Sequence, residues 1–167
     1  MDAKNSVVDL DTDPCSIIGS RLLDAPRELV FSVFTDQSHL AQWWGPNGFT
    51  TTTLSFDFRP GGEWRFVMHG PNGRNYQNRI TYEEIIRPEL IAYRHDGGDD
   101  VEPVQFRQTL TFEDLGDDRT RLTWHGRFPS AEERARVIKT YNADKGLSQT
   151  MARLVDYVAT MATEKTS

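Results

Sequence analysis

The stretch WWGPNGFTTTTLSFDFRPGGEWRFVM, Trp43 to Met68, places two adjacent indoles before a Gly-Pro-Asn-Gly turn and joins two β-rich runs through Arg59-Pro60-Gly61-Gly62. Thr50 to Phe58 is dominated by β-branched and aromatic residues, and the Pro-Gly-Gly connection before Glu63 to His69 supplies hairpin chemistry. In the second run Trp64, Phe66 and Met68 share one side, opposite Glu63, Arg65, Val67 and His69. That alternation belongs to an antiparallel pair with one covered face and one mostly wet face. Either a core helix or a ligand must cover the aromatic side.

Upstream, Cys15 to Leu23 is short and rich in Ile and Leu, and Asp24-Ala25-Pro26 follows, where Asp24 can cap a helix and Pro26 suits its first turn. Leu29, Val30, Val33 and Phe34 then recur at three- and four-residue spacing, which lays one apolar stripe on a short helix over Pro26 to Thr35. A second helix, Ser38 to Trp44, starts at a cap supplied by Asp36 or Ser38. It ends at Gly45-Pro46, because proline lacks a donor and disfavours helical geometry in the residue before it.

Downstream, Gly70-Pro71-Asn72-Gly73 turns the chain, and further strands are expected over Asn75 to Ile86, Leu90 to His95, Val104 to Phe112 and Thr120 to Phe128. Ser130 to Tyr141 reads as a polar helix interrupted at Asn142 or Gly146. Leu147, Met151, Leu154, Val155, Val158 and Met161 then repeat with a period near 3.6, the stripe of a long amphipathic helix. The layout is α+β: a first strand, two short helices, a curved antiparallel sheet of six or seven strands in all, and a C-terminal helix for that sheet to wrap. Met1 to Pro14, with Asp2, Asp9, Asp11 and Asp13, has little to bury and is expected to be a disordered acidic tail. Residues 15–162 form the single domain, and residues 163–167 are expected to fray.

Composition excludes several function classes. Nineteen Lys and Arg against twenty-five Asp and Glu give a net charge of -6, which disfavours nucleic acid and anionic lipid as partners. A 37% hydrophobic and 11% aromatic content in 167 residues supports one domain with a real core. Cys15 is the only cysteine, so there is no internal disulfide and no multi-thiolate metal site. The N-terminus lacks signal-peptide character and no run approaches about 18 apolar residues, so the expectation is a cytoplasmic protein without membrane insertion.

Taken together, Ala25-Pro26, Trp43-Trp44-Gly45-Pro46, Asp57-Phe58-Arg59-Pro60-Gly61-Gly62, Trp64, Gly70-Pro71-Asn72-Gly73 and Arg87-Pro88-Glu89 resemble the START-like, helix-grip proteins of the SRPBCC superfamily. Within these, the resemblance is to the branch related to the activator of heat-shock protein 90 ATPase, the AHSA type, and it runs from about Ile17 to Met161. It implies a cavity between the concave sheet face and the long helix that in relatives takes lipids, sterols, polyketides or other apolar molecules. It also admits a homodimer. A fold of this kind does not by itself fix an activity.

Alternation and resemblance agree on an inward set: Trp64, Phe66, Met68, Phe106, Trp124 and Phe128 from the sheet, with Met151 and Val155 of the last helix opposite. Polar candidates on the same face are Gln108, in register with Phe106, Leu110 and Phe112, and His95, in register with Ile91 and Tyr93. Tyr76 and Tyr82, in register with Ile80, add hydroxyls. These compose an apolar pocket with few orienting polar groups, the usual form of a small-molecule site. Plain core packing is the competing account for the tryptophans and for Phe66.

Other chemistries find little support. His39, His69, His95 and His125 show no metal-ligand spacing, and His69 and His125 fall on the outer face in phase. No GxSxG elbow exists, and Cys15, without an adjacent base, reads as a buried packing residue. Asp57 and Arg59 brace the hairpin by pairing with each other, Arg65 or Glu63. Gly61-Gly62 and Gly97-Gly98 lack phosphate-loop patterns, and Asp96, Asp99, Asp100 and Glu102 lack the spacing of a calcium loop. No cofactor is expected.

Three functions compete on this basis. The first is binding of a small hydrophobic or aromatic molecule, oriented by His95, Gln108 or a tyrosine. The second is general acid–base catalysis on a polyketide-like or aromatic substrate through His95 and Tyr93. The third is co-chaperone-like association with a heat-shock protein 90 homologue, which is not expected because 167 residues lack the second domain of the eukaryotic co-chaperone.

Overall fold

The computed structural model describes residues 6–96 and 105–166. Residues 1–5, the acidic segment 97–104 bearing Gly97, Gly98, Asp99, Asp100 and Glu102, and Ser167 lie outside the described residues. In chain order the elements are β1 (Ser6–Asp9), β2 (Ser16–Leu23), α1 (Arg27–Ser32), α2 (Gln37–Trp43), β3 (Thr50–Phe56) and β4 (Glu63–His69). They continue with β5 (Asn75–Ile86), β6 (Leu90–Asp96), β7 (Phe106–Gly116), β8 (Arg119–Arg127), α3 (Ala131–Tyr141) and α4 (Ala143–Thr166). The strands form one antiparallel sheet in the order β1-β2-β8-β7-β6-β5-β4-β3, curved and unclosed. The helix-grip architecture is as expected, with eight strands rather than six or seven.

The additional strand is β1, in a segment expected to be a disordered tail. Val8 packs against the core and Leu10 against a smaller cluster formed by Ile17, Phe128 and Val137. The acidic residues form turns here instead of a solvated run. Asp9 accepts from the backbone N–H groups of Asp11 and Thr12, and Asp13 from the Cys15 N–H and the Ser16 hydroxyl. The Arg134 guanidinium donates to the carbonyls of Leu10 at 2.6 Å, Ser16 at 2.9 Å and Asp13 at 3.3 Å, tying the segment to α3. Cys15 is half-buried rather than buried, because it sits at this connection and not within a strand.

Helix boundaries follow local chemistry. Pro26, not Asp24, occupies the N-cap of α1, and it offers no side-chain acceptor. Asp36 caps α2 by accepting from Ser38 N–H, and α2 ends before Gly45-Pro46 as expected. Ser130 caps α3, and Asn142 in the left-handed conformation separates α3 from α4, so the interruption falls at Asn142 and Gly146 continues the helix. The backbone of α4 runs to Thr166, beyond residue 162 where the domain was expected to end. Ala162-Thr163-Glu164-Lys165 offers no Gly or Pro to stop it.

The core lies between the concave face and the helices. Trp43, Phe31 and Leu40 from the helical side meet Trp64, Phe66, Ile80, Ile91, Leu110, Phe112 and Leu122 from the sheet, with Met151 and Leu154 of α4. Trp43 Nε1–H donates to Val33 O at 3.2 Å, and Trp64 Nε1–H to the Thr53 hydroxyl at 3.1 Å, so both indoles are buried with their polar groups satisfied. Among the described residues no helix is long and apolar enough to cross a membrane.

Candidate functional site

Strand register arranges the concave face in transverse rows. One row runs Tyr82, Tyr93, Gln108, Gly126, Ile17 across β5, β6, β7, β8 and β2. The neighbouring row, Ile91, Leu110, Trp124 and Gly19, is closed by α4. At Gly19 an added Cβ would lie 2.7 Å from Leu147 Cδ2 and 3.2 Å from Met151 Sδ, so the missing side chain lets the helix approach the sheet. Toward the other strand ends the helix no longer covers the sheet. A cavity of about 540 Å³ opens there between Met68, Tyr76 and Phe106 of the sheet, Phe128 just past β8, the turn after α2, and α3 with the start of α4.

Eight of the twelve residues expected at the site line this cavity: Met68, Tyr76, Tyr93, His95, Phe106, Gln108, Trp124 and Phe128. The other four do not. Trp64 stacks on Phe66 with centroids 3.9 Å apart, and both are about 1% exposed under the edges of Trp44. Met151 is fully buried against Gly19, and Val155, one turn farther along α4, packs on the main core. Alternation puts Trp64 and Phe66 on the inner face and the helical stripe turns Met151 and Val155 toward it, but neither carries information on how far along that face the helix stays in contact.

Residues the sequence reading did not place there complete the lining. Trp44 and Phe49 come from the same Trp-Trp-Gly-Pro segment, and Leu147 lies one turn before Met151 on the apolar stripe. The adjacent indoles divide the work: Trp43 is buried, whereas Trp44 is half-buried and faces both Trp64 and the cavity. Ile17, Val137 and Tyr141 close the end near the smaller cluster, while the exposed Pro71, Asn72, Gln77, Thr140 and Asn142 form the rim.

The 44–49 turn is held by Arg153 of α4. Its Nη1 donates to Gly45 O at 2.9 Å, Pro46 O at 3.1 Å and Phe49 O at 3.3 Å, with Trp44 O at 3.5 Å. Gln149 Oε1 adds an acceptor for the Asn47 N–H at 3.1 Å. One cation thus gathers the carbonyls of the turn. Arg153→Met keeps much of the packing stem and removes the donors, so it is expected to cost about 2 kcal/mol in urea denaturation, the scale of hydrogen bonds to a charged group. A loss under about 0.5 kcal/mol would mean that the turn holds itself.

The polar groups of the cavity fall into two sets. His95 is oriented: its Nε2–H donates to Asn78 Oδ1 at 2.8 Å, Asn78 Nδ2–H donates to Tyr76 O at 2.9 Å, and the imidazole stacks on Phe106 at 4.7 Å. Tyr93 and Gln108, 4% and 6% exposed, have no hydrogen-bond partner for their side chains among the described residues. Burial pushes the Tyr93 phenol above its ordinary range, so it remains a neutral donor throughout the physiological window. Tyr82 is shifted the same way, by burial first and then by neighbouring Tyr93, and it sits behind the cavity rather than in it.

Outside the cavity, Asp57 pairs with Arg59 at 2.8 Å and Glu63 with Arg65 at 3.2 Å, exposed braces on the hairpin. His69 bonds Thr52 and Asn75 at the end of β4, and the exposed His125 meets Ser16. Among the described residues no group of three or more His, Cys, Asp or Glu is arranged to hold a metal ion.

Solved structures share this architecture. A protein from Arthrobacter aurescens superposes with a TM-score of 0.84 at 23% identity, covering 92% of this chain and 91% of its own. One from Mycobacterium smegmatis gives 0.78 at 22% identity, with 95% and 98% covered. The AHSA1 protein from Silicibacter pomeroyi gives 0.70 at 20%, with 87% and 99% covered. No curated protein matches the sequence. The family model described as activator of Hsp90 ATPase homolog 1-like protein matches residues 24–159, a span from the Asp24-Ala25-Pro26 turn to the last turns of α4. On that match, and on a sheet and helix arranged as in its structural neighbours, the chain belongs to the AHSA1 family.

Proposed function

We propose that the protein binds a small, predominantly apolar molecule in the cavity between the concave sheet face and helices α3 and α4. One observation carries this reading: against the sheet row at Tyr93, Gln108, Gly126 and Ile17 lies a space of about 540 Å³ walled mostly by aromatic and aliphatic side chains. Small-molecule sites span roughly 300–1,000 Å³. Membership of a fold family that commonly binds hydrophobic ligands supports the same conclusion. Burial of apolar ligand surface, at roughly 25 cal/mol per Å², supplies the driving force.

Acid–base catalysis in the same cavity has weaker support. Among the described residues the lining holds no carboxylate, lysine, arginine or thiol, Tyr93 is held protonated, and His95 is engaged with Asn78. A chaperone-docking face is weaker still. The large hydrophobics exposed among the described residues, Val7, Leu54, Ile86 and Leu115, lie on β1, β3, β5 and β7, no two of which are adjacent.

A panel of neutral aromatic compounds read by thermal unfolding tests the proposal. A binder at about a hundred times its Kd stabilises by about 2.7 kcal/mol, a rise of roughly 5–10 °C for a domain of this size. Ala143→Phe, which adds a ring to the first turn of α4 at the cavity wall, is expected to abolish that rise. Failure of every apolar compound to stabilise the fold, or an equal shift in the Ala143→Phe variant, would refute cavity binding.

A further inference from the structure

We infer that the cavity selects an uncharged aromatic molecule bearing an amide-like head, a donor and an acceptor side by side, which Gln108 reads. This rests on the cavity being a binding site, as proposed above. Gln108 is 6% exposed, lines the cavity, and its amide has no hydrogen-bond partner among the described residues. Its amide atoms are not among the sealed, unpaired groups of the core, so they keep contact with the cavity, with a donor and an acceptor open to whatever fills it.

The surroundings are shaped to that amide. Gln108 stands directly across from Tyr93 on one side and Gly126 on the other. Gly126 supplies room: a Cβ there would lie 2.7 Å from Gln108 Oε1, so the amide end lies over a position that has no side chain. Among the described residues Tyr93, 4% exposed, likewise has no partner and adds a neutral phenol, and Trp124 Nε1–H, two residues from Gly126, is buried without an acceptor. A primary amide offers a carbonyl acceptor and an N–H donor together, and its best complement is another such pair.

Charge and ring class follow from what lines the space. Among the described residues no Asp, Glu, Lys or Arg does, so an ionised head would be buried without a counter-ion. Trp44, Phe49, Phe106 and Phe128 offer ring faces and edges to an aromatic body.

Three matched probes test this by equilibrium dialysis: naphthalene-2-carboxamide, 2-naphthoate and 2-isopropylnaphthalene, whose heads have nearly the same shape. The carboxamide is expected to bind about tenfold tighter than the hydrocarbon, and the carboxylate at least tenfold weaker than the carboxamide. Gln108→Leu should erase the carboxamide's advantage over the hydrocarbon and raise the melting temperature, an outcome a purely structural glutamine would not give. Gly126→Ala, which displaces the flexible amide end and spares the backbone, should also erase the advantage. If the hydrocarbon binds but the carboxamide gains nothing, if Gln108→Leu leaves their ratio unchanged, or if the carboxylate binds best, the inference is wrong while cavity binding stands. If none of the three binds, cavity binding falls as well.

Discussion

Trp64→Ala is expected to lose about 3–5 kcal/mol of folding free energy, the range for truncating a fully buried aromatic, and to do so without a ligand being involved. The indole is about 1% exposed, stacked on Phe66 at 3.9 Å, edge-on to Trp44 at 4.9 Å and Phe56 at 6.0 Å, and donates to Thr53. Removing it leaves a void beneath three rings and an unpaired threonine hydroxyl. Trp44→Ala, at a half-buried position on the cavity wall, should cost clearly less stability in urea denaturation and weaken binding of an aromatic probe more. The reverse order, a mild loss at Trp64 with binding abolished, would place Trp64 in the site after all.

That contrast marks where the sequence stops being informative. Alternation in Glu63 to His69 separates the two faces of β4 because side chains alternate with period two. It puts Trp64, Phe66 and Met68 on one side. Which of them meets a ligand depends on position along the strand: Met68 alone of the three lines the cavity, while still packing on the margin of the core. On α4 the stripe Leu147, Met151, Leu154, Val155, Val158 has a correct period, but the point where helix and sheet part is set by glycine. Gly19 lets α4 approach at Leu147 and Met151. The four-residue spacing from Leu147 to Met151 and the adjacency of Trp44 to Trp43 were signals available for the missed lining residues. β1 was illegible for another reason. Its aspartates look like solvated charge until Arg134, more than a hundred residues later, collects the carbonyls beside them.

The hairpin signature supplies the second large effect. Gly62→Ala is expected to cost at least about 3 kcal/mol, the upper end of overpacking, although Gly62 is not the residue at positive φ. A Cβ at Gly62 would stand 2.2 Å from Asp57 O and 3.0 Å from Arg59 O, and neither can step aside as a flexible side chain would. Arg59 O accepts from Gly62 N–H at 2.8 Å, Asp57 N–H donates to Glu63 O at 3.0 Å, and Gly62 O accepts from Tyr82 N–H at 2.9 Å, so the turn is fixed to its own strand and to β5. Gly61 is the opposite case. Its φ is +84° and a Cβ there meets nothing within 4 Å, so Gly61→Ala carries only backbone strain of about 1–2 kcal/mol. Denaturant midpoints of the two variants decide between contact and conformation as the reason for the paired glycines. If Gly61→Ala proves the more damaging, left-handed geometry governs this turn and the close approach of Asp57 O relaxes at little cost. If Gly62→Ala does, as the contacts require, the Arg59-Pro60-Gly61-Gly62 signature fixes the hairpin chiefly through one position where no side chain fits.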